Sequence, residues 1–191
     1  MKTNRYWIFS LFILTCLAQW YILGRWMSVS ESVKSHGTYL KIPCTQIDPV
    51  DPFRGTYLNI RPTPGTFNFK DSAQYINGQD IWINYTCDTQ GICNYVSIQP
   101  AYETPQSTTY IKAKVIGIYP SYVETDSIKS YFGSIEYPFH KYYINEKAAP
   151  VLAEKYNKAL GDTATHVYAG VYVYNGETVL DGIWLGDIPL R

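Results

Sequence analysis

The sequence predicts a mainly β domain with one helix, an α+β fold built as a curved antiparallel sheet or barrel-like domain behind an N-terminal transmembrane helix. Three observations predict it. An uninterrupted apolar run opens the chain, and strand-like alternations broken by Gly, Pro, Asn and Ser recur from residue 38 onward. Charged residues make up only 17% of the chain while Tyr alone numbers 19, a balance that favours sheet surfaces over a salt-laced helical bundle. The 191 residues suffice for one domain and fall short of two. A hydrophobic share of 46% excludes disorder, collagen and a multi-span membrane protein.

The apolar run comes first. Between Arg5 and Arg25 lie nineteen uncharged residues, YWIFSLFILTCLAQWYILG, which as a helix rising 1.5 Å per residue nearly cross a hydrocarbon core of about 30 Å. Lys2 and Arg5 precede the run, and Tyr6, Trp7, Trp20, Tyr21 and Trp26 gather toward its ends like interfacial belts. The positive flank then stays inside. This predicts a single-pass inner-membrane protein with residues 1–5 cytoplasmic, 6–27 a signal anchor, 28–37 a polar stalk and 38–191 a periplasmic or otherwise extracytoplasmic domain. A cut after Cys16-Leu17-Ala18 would instead make a signal peptide, but the mature chain would begin with the apolar stub QWYILGRWM. Lipid attachment at Cys16 is weaker still, because Thr15 stands where a small residue is needed.

Beyond the first 25 residues, 13 basic side chains face 16 acidic ones. No Lys/Arg cluster supplies the field that displaces counterions from phosphates, so nucleic acid is excluded as a partner.

The domain elements follow in order. Tyr39 to Ile42 alternates as a first strand, and Asp48-Pro49 and Asp51-Pro52 stiffen the loop after it. Thr56 to Arg61 returns to strand until the Pro62-Thr63-Pro64-Gly65 cluster stops it. Further strands are expected at Asp80 to Cys87, Ile92 to Gln99 and Thr109 to Tyr119. One helix is expected from about Lys147 to Leu160, where Val151, Leu152, Tyr156 and Ala159 recur at near-helical spacing, with Asn145 as a cap and Gly161 past the end. THVYAGVYVY and ETVLDGIWL are joined by Asn175-Gly176, the strongest two-residue hairpin signal. A type I′ turn there sets Val173 opposite Thr178, Val171 opposite Leu180, Ala169 opposite Gly182 and Val167 opposite Trp184 as the core face. The reverse face, with Tyr168, Tyr172, Tyr174, Val179, Asp181 and Ile183, is too apolar to be left in water.

Cys87 and Cys93 bracket DTQGI between two strand-like runs, the spacing of a hairpin that a cystine can close in an oxidising compartment. Cys16 reads as an apolar filler, and Cys44 has no evident partner. No further Cys or His pair stands at ligand spacing, so no metal site and no cofactor are expected.

Catalytic signals are sparse. His36, His140 and His166 sit in no nucleophile context, and G-x-S-x-G, H-E-x-x-H and phosphate-cradling glycine loops are missing from the sequence. The densest polar cluster is DPVDPFRG, where Asp48, Asp51 and Arg54 share a Pro-stiffened loop. Asp-Pro turns cap loops through side-chain to backbone hydrogen bonds, and Arg54 can tie such a loop down by pairing with a carboxylate. As chemistry, Asp48 and Asp51 could hold a cation or act as an acid/base pair. The tyrosines admit a sugar-stacking platform, but only Tyr137, Tyr142 and Tyr143 are tightly grouped. Asn84-Tyr85-Thr86 is a glycosylation sequon.

Two blocks carry a family resemblance. YLKIPCTQIDPVDPFRGTYLNI resembles the signature of the GDYXXLXY family of membrane-anchored bacterial proteins, matched at Asp48, Pro49, Asp51, Pro52, Phe53, Arg54, Gly55 and Tyr57. Ile60 stands for the motif's Leu, and Thr56 and Pro62 depart from its Asp and final Tyr. YPFHKYYINEKAAP is similar to a block in Bacteroidetes-like members, through Tyr137, Pro138, Phe139, Lys141, Tyr142, Tyr143, Asn145, Glu146, Ala149 and Pro150.

The resemblance implies an exported, single-anchor domain without assigned activity, often associated with multi-span membrane proteins. The expected function is a non-enzymatic docking module for such a partner, with the membrane engaged through the N-terminal helix. Asp48, Asp51, Arg54, Gly55, Tyr57, Tyr142, Tyr143 and Glu146 are its candidate motif residues. The alternatives are an envelope-polymer hydrolase using Asp48, Asp51 and Glu146 as paired carboxylates, and a small-ligand or glycan-binding module. Thr56 in place of the motif Asp removes one carboxylate that a catalytic reading would want.

Overall fold

Apolar side chains exposed on every side of a helix, followed by strands that bury alternate residues, set the layout of the computed structural model, which describes residues 5–45, 57–71, 73–123, 127–143, 154, 158 and 166–190. Helix α1, Arg5–His36, is continuous through both the apolar run and the polar segment after it. At 1.5 Å per residue its 32 residues extend about 48 Å. It stops at Gly37, whose amide donates to the Val33 carbonyl at 2.9 Å. Tyr6 to Met27 is bare of domain contacts, whereas Val33 is buried and the His36 ring lies 5.8 Å from Tyr174. The helix is long and apolar enough to cross a membrane.

Two five-stranded antiparallel sheets follow. The first contains β1 (Thr38–Thr45), β3 (Arg61–Pro62), β10 (Val167–Tyr174), β11 (Glu177–Leu185) and β12 (Ile188–Leu190), in the order β12-β11-β10-β1-β3. The second contains β4 (Thr66–Phe69), β5 (Asp80–Cys87), β6 (Cys93–Pro100), β7 (Tyr110–Val123) and β8 (Ser127–Glu136), in the order β4-β8-β7-β5-β6. A small ladder joins β2 (Tyr57–Asn59) to β9 (Lys141–Tyr143). The fold is thus α+β and barrel-like. Of the helix expected at 147–160, only Glu154 and Lys158 are described, and both are helical.

The sheets clasp each other by their hairpin tips. The Lys41 amide donates to the Gly91 carbonyl at 2.8 Å, and the Lys112 amide donates to the Gly176 carbonyl at 2.9 Å. Each tip therefore pairs with a stretch of β1 or β7 that lies beyond the reach of the neighbouring β3 or β8, which satisfies backbone groups that would otherwise be left free, as barrel closure does. Asn175 and Gly176 both take positive φ, 50° and 82°, which is what a two-residue I′ turn requires. The β5–β6 tip is closed by the Cys87–Cys93 disulfide, Cα atoms 4.0 Å apart. Asp88 Oδ1 stiffens it further by accepting from the amides of Gln90 and Ile92, each at 2.9 Å.

Between the sheets lies one core. Leu40, Ile42, Val171 and Ile183 from the first sheet meet Ile81, Ile83, Ile111, Val115, Phe67 and Phe69 from the second. Full burial of each aliphatic side chain stabilises the fold by about 1.5–3 kcal/mol.

The closing hairpin departs from the expected register. Val173 faces Thr178 and Val171 faces Leu180, but a bulge at Asp181 then shifts the pairing, so that Ala169 faces Ile183 and Val167 faces Leu185. Ile183 belongs to the core rather than to the reverse face, and Trp184 sits beside Tyr168 on the reverse face rather than in the core. The physical reason is the indole N–H, which needs an acceptor when buried. With the bulge, Trp184 Nε1 donates to Tyr39 Oη at 2.6 Å while Lys41 Nζ lies 4.4 Å from the ring centre. Gly170 makes room, since a Cβ there would collide with the Tyr39 hydroxyl. The reverse face is covered in part by these rings, and the last turns of α1 contact β10 and β11.

Four strands exceed the expectations from sequence: β4, β8 and β12 fall where no strand is expected, and β7 runs past Tyr119 to Val123.

Candidate functional site

The two sequence blocks meet. β2 leaves the first block and pairs antiparallel with β9 of the second, setting Tyr57 opposite Tyr143, Leu58 opposite Tyr142 and Asn59 opposite Lys141. The ladder continues one residue further, because the Ile60 amide donates to the His140 carbonyl at 2.8 Å. Ile60 is buried and pins the junction to the core. Tyr142 is half-buried against that core, while Tyr143 is 72% exposed and leaves the junction open to solvent. Asp48, Asp51, Arg54, Gly55 and Glu146 lie outside the described residues.

After Ile60 the chain is stitched on both sides. Cys44 and Thr45 of β1 pair with Pro62 and Arg61, Thr63 donates its amide to Pro43 at 2.8 Å, and Ile135 of β8 donates to Gly65 at 3.0 Å. Beneath this segment two phenols meet. Tyr85 Oη donates to the Thr63 carbonyl at 3.2 Å, Tyr137 Oη donates to the Pro64 carbonyl at 3.1 Å, and the two oxygens are 2.9 Å apart. Two protons serve three contacts, so losing either would strip the network further. Burial pushes both phenols above the ordinary tyrosine range, and for Tyr137 the neighbouring Tyr85 adds to the rise. Both are therefore neutral hydrogen-bonding groups at physiological pH.

Two clefts share the wall made by Glu136, Tyr137 and His140. One, of about 690 Å³, opens beside Asn59, Arg61 and Ser134, next to Thr45 and Ile60 at the block junction. The other, of about 470 Å³, is lined by Asp80, Lys112, Lys114 and Glu177, with Lys112 Nζ 3.0 Å from Asp80 Oδ2. These side chains can bind polar groups. His140 is exposed, and its Nδ1 lies 3.4 Å from the Tyr137 carbonyl.

A nucleophile arrangement is not assembled among the described residues. Ser35 Oγ and His36 Nδ1 are 2.9 Å apart, but they are neighbours in the last turn of α1 and His36 is shared with the Ser32 carbonyl. The Cys44 thiol is pushed up to about 12 by burial, far from the range of a reactive thiolate. Among the described residues no three His, Cys, Asp or Glu side chains cluster as a metal site would require.

The sequon has a structural answer. Asn84 is fully buried, with Nδ2 donating to Ser97 Oγ and Gln99 Oε1, each at 3.2 Å, and Oδ1 accepting from the Ser107 amide at 3.2 Å. Its amide is committed to the fold, so it cannot carry a glycan in the folded domain.

The family model for the GDYXXLXY protein matches residues 19–183, a span that contains both blocks and the strands between them. The chain belongs to the GDYXXLXY family. Neither the curated proteins nor the solved structures supply a match. In this GDYXXLXY member the signature residues between Thr45 and Tyr57 lie outside the described residues, and Thr45 and Tyr57 are both beside the junction. Sequence marks neither Tyr85 nor His140 as a site residue, while Tyr137 stands out only by its grouping with Tyr142 and Tyr143. Tyr85 lies on β5 and Tyr137 follows β8, so the sheet order and the Thr63-Pro64 segment bring the two phenols together, and no local motif encodes that.

Proposed function

We propose that this GDYXXLXY protein is a single-pass, membrane-anchored extracytoplasmic module that docks a multi-span membrane or other envelope protein without catalysis of its own. One observation carries the reading. α1 leaves its apolar side chains uncovered from Tyr6 to Met27 yet packs its last turns on β10 and β11, so the membrane segment and the domain form one continuous arm. Lys2 and Arg5 at the start favour a cytoplasmic N-terminus. The Cys87–Cys93 disulfide suits an oxidising compartment. An aromatic side chain open at the block junction, Tyr143, suits contact with a protein partner.

Site-specific photocrosslinking at Tyr143 in intact membranes tests this. The expected result is one discrete adduct with a multi-span membrane protein, lost when the probe is moved to the far strand at Val96. Equal, diffuse labelling from both positions contradicts it.

A second reading, small-ligand or glycan binding, draws on the 690 Å³ cleft at the junction, whose size falls in the range of ligand pockets. A glycan array probed with the full chain should then give binding that Arg61→Ala weakens at least tenfold; no binding contradicts it.

A further inference from the structure

The domain does not stand clear of the outer end of the apolar run. Trp26, the residue after Arg25, shares one concavity of about 410 Å³ with Phe139, Tyr143 and Leu180 of the domain. We infer that the β2–β9 junction rests on the surface of the bilayer that α1 crosses, with the Tyr143 ring at the level of the lipid headgroups, an inference that rests on the membrane-anchor reading above.

Height is the first argument. The nineteen uncharged residues from Tyr6 to Gly24 rise about 28 Å as a helix, close to a hydrocarbon thickness of about 30 Å. Arg25 and Trp26 therefore mark the outer boundary, a level that suits both a cationic and an indole side chain. The helix wall of the concavity runs from Trp26 to Val33, about 10 Å along the axis. The headgroup layer takes roughly the lower 5–8 Å of that band, and the domain wall faces the same band.

Rigidity is the second. α1 is one uninterrupted helix from Arg5 to His36, and its sequence holds no proline. Val33 is only 2% exposed, the His36 ring lies 5.8 Å from Tyr174, and α1 contacts β10 and β11. The membrane segment and the domain are thus joined without a hinge, so the height of the domain wall follows from the height of Trp26.

Side-chain chemistry is the third. On the domain wall Phe139 is buried and Leu180 packs against the core, whereas Tyr143 is 72% exposed. A phenol offers an apolar ring to the acyl boundary and a hydroxyl to the headgroups, which is why tyrosine collects at that level. The bilayer surface suits both parts of this side chain, where open water suits only the hydroxyl.

The test uses the full chain alone in nanodiscs of phosphatidylethanolamine and phosphatidylglycerol, with a benzophenone amino acid in place of Tyr143 or, for reference, of Trp26. After illumination, lipid adducts from position 143 should reach at least a third of those from position 26. Seven helix-forming residues inserted after Met27 nearly restore the helix face, since two turns take about 7.2 residues, and lift the domain by about 10 Å. Lipid adducts from position 143 should then fall at least fivefold, while those from position 26 stay within twofold. Extraction of the chain from membranes by alkaline carbonate would overturn both this inference and the anchor reading. An integrated chain that gives no lipid adduct from position 143, or one whose adducts there are undiminished by the insertion, would overturn this inference alone.

Discussion

Tyr57 and Tyr143 stand opposite each other in the β2–β9 ladder, so the two sequence blocks are joined by backbone pairing. Ile60, three residues beyond Tyr57, carries that junction into the core through a buried side chain and an amide bonded to the His140 carbonyl. Ile60→Ala should lower stability by about 2–5 kcal/mol. His140→Ala should change it by less than about 1 kcal/mol, because only the His140 carbonyl serves the ladder and the ring is exposed. Urea midpoints of the two variants check this, and equal losses would contradict the assignment.

The phenol pair makes a coupled prediction. Tyr85→Phe or Tyr137→Phe each leaves a buried carbonyl short of a donor and should cost about 1–3 kcal/mol. The double variant should cost less than the sum, because the first removal already breaks the shared 2.9 Å contact. A double-mutant cycle in denaturant reads the coupling directly, and strict additivity would refute it.

Alkaline pH tests the same pair by a different route. Tyr85 and Tyr137 are raised by burial, and Tyr75 is pushed up to about 12, first by burial and then by the nearby Glu103 charge. In the unfolded chain these phenols ionise near pH 10. Above that pH the unfolded state has lost protons that the folded state still holds. Their contribution is therefore complete below about pH 10 and is lost as pH climbs toward the folded values. Each phenol steepens the decline by up to about 1.4 kcal/mol per pH unit. Unfolding midpoints measured from pH 9 to pH 12 should fall, and the Tyr85→Phe/Tyr137→Phe variant should fall less steeply.

The disulfide-closed tip holds the Gly91 carbonyl against Lys41. Opening the short loop, by reduction or by Cys87→Ala with Cys93→Ala, should cost about 2 kcal/mol from loop entropy. Hydrogen exchange at the Lys41 amide should accelerate at the same time, more than at Leu40 or Ile42 within the β1–β10 ladder. Unchanged exchange at Lys41 would mean that the tip does not depend on the bridge.

Sequence revealed what is encoded locally. The helix α1, the strand at Asp80–Cys87, the Asn175-Gly176 turn and the first half of its hairpin are written in apolar runs, alternation and turn residues. The second half of that hairpin was hidden, because the bulge at Asp181 answers a long-range demand, the Trp184 N–H seeking the Tyr39 hydroxyl. β8 was hidden because Lys129, Ser130, Gly133 and Ser134 interrupt its alternation, although the partner strands β4 and β7 fix it. Of the site, the two blocks were visible as motifs. Their contact was not, because nothing within either block specifies which strand it pairs with.

Location is where the proposed function stands most exposed. Tyr102 is 79% exposed on the domain, so Tyr102→Cys places a reactive thiol on its surface, while Cys44 is held as a protonated thiol by burial. Labelling intact spheroplasts with a membrane-impermeant maleimide should modify this cysteine as fully as in detergent-opened cells. Modification only after the membrane is opened would place the domain in the cytoplasm and contradict the extracytoplasmic docking role.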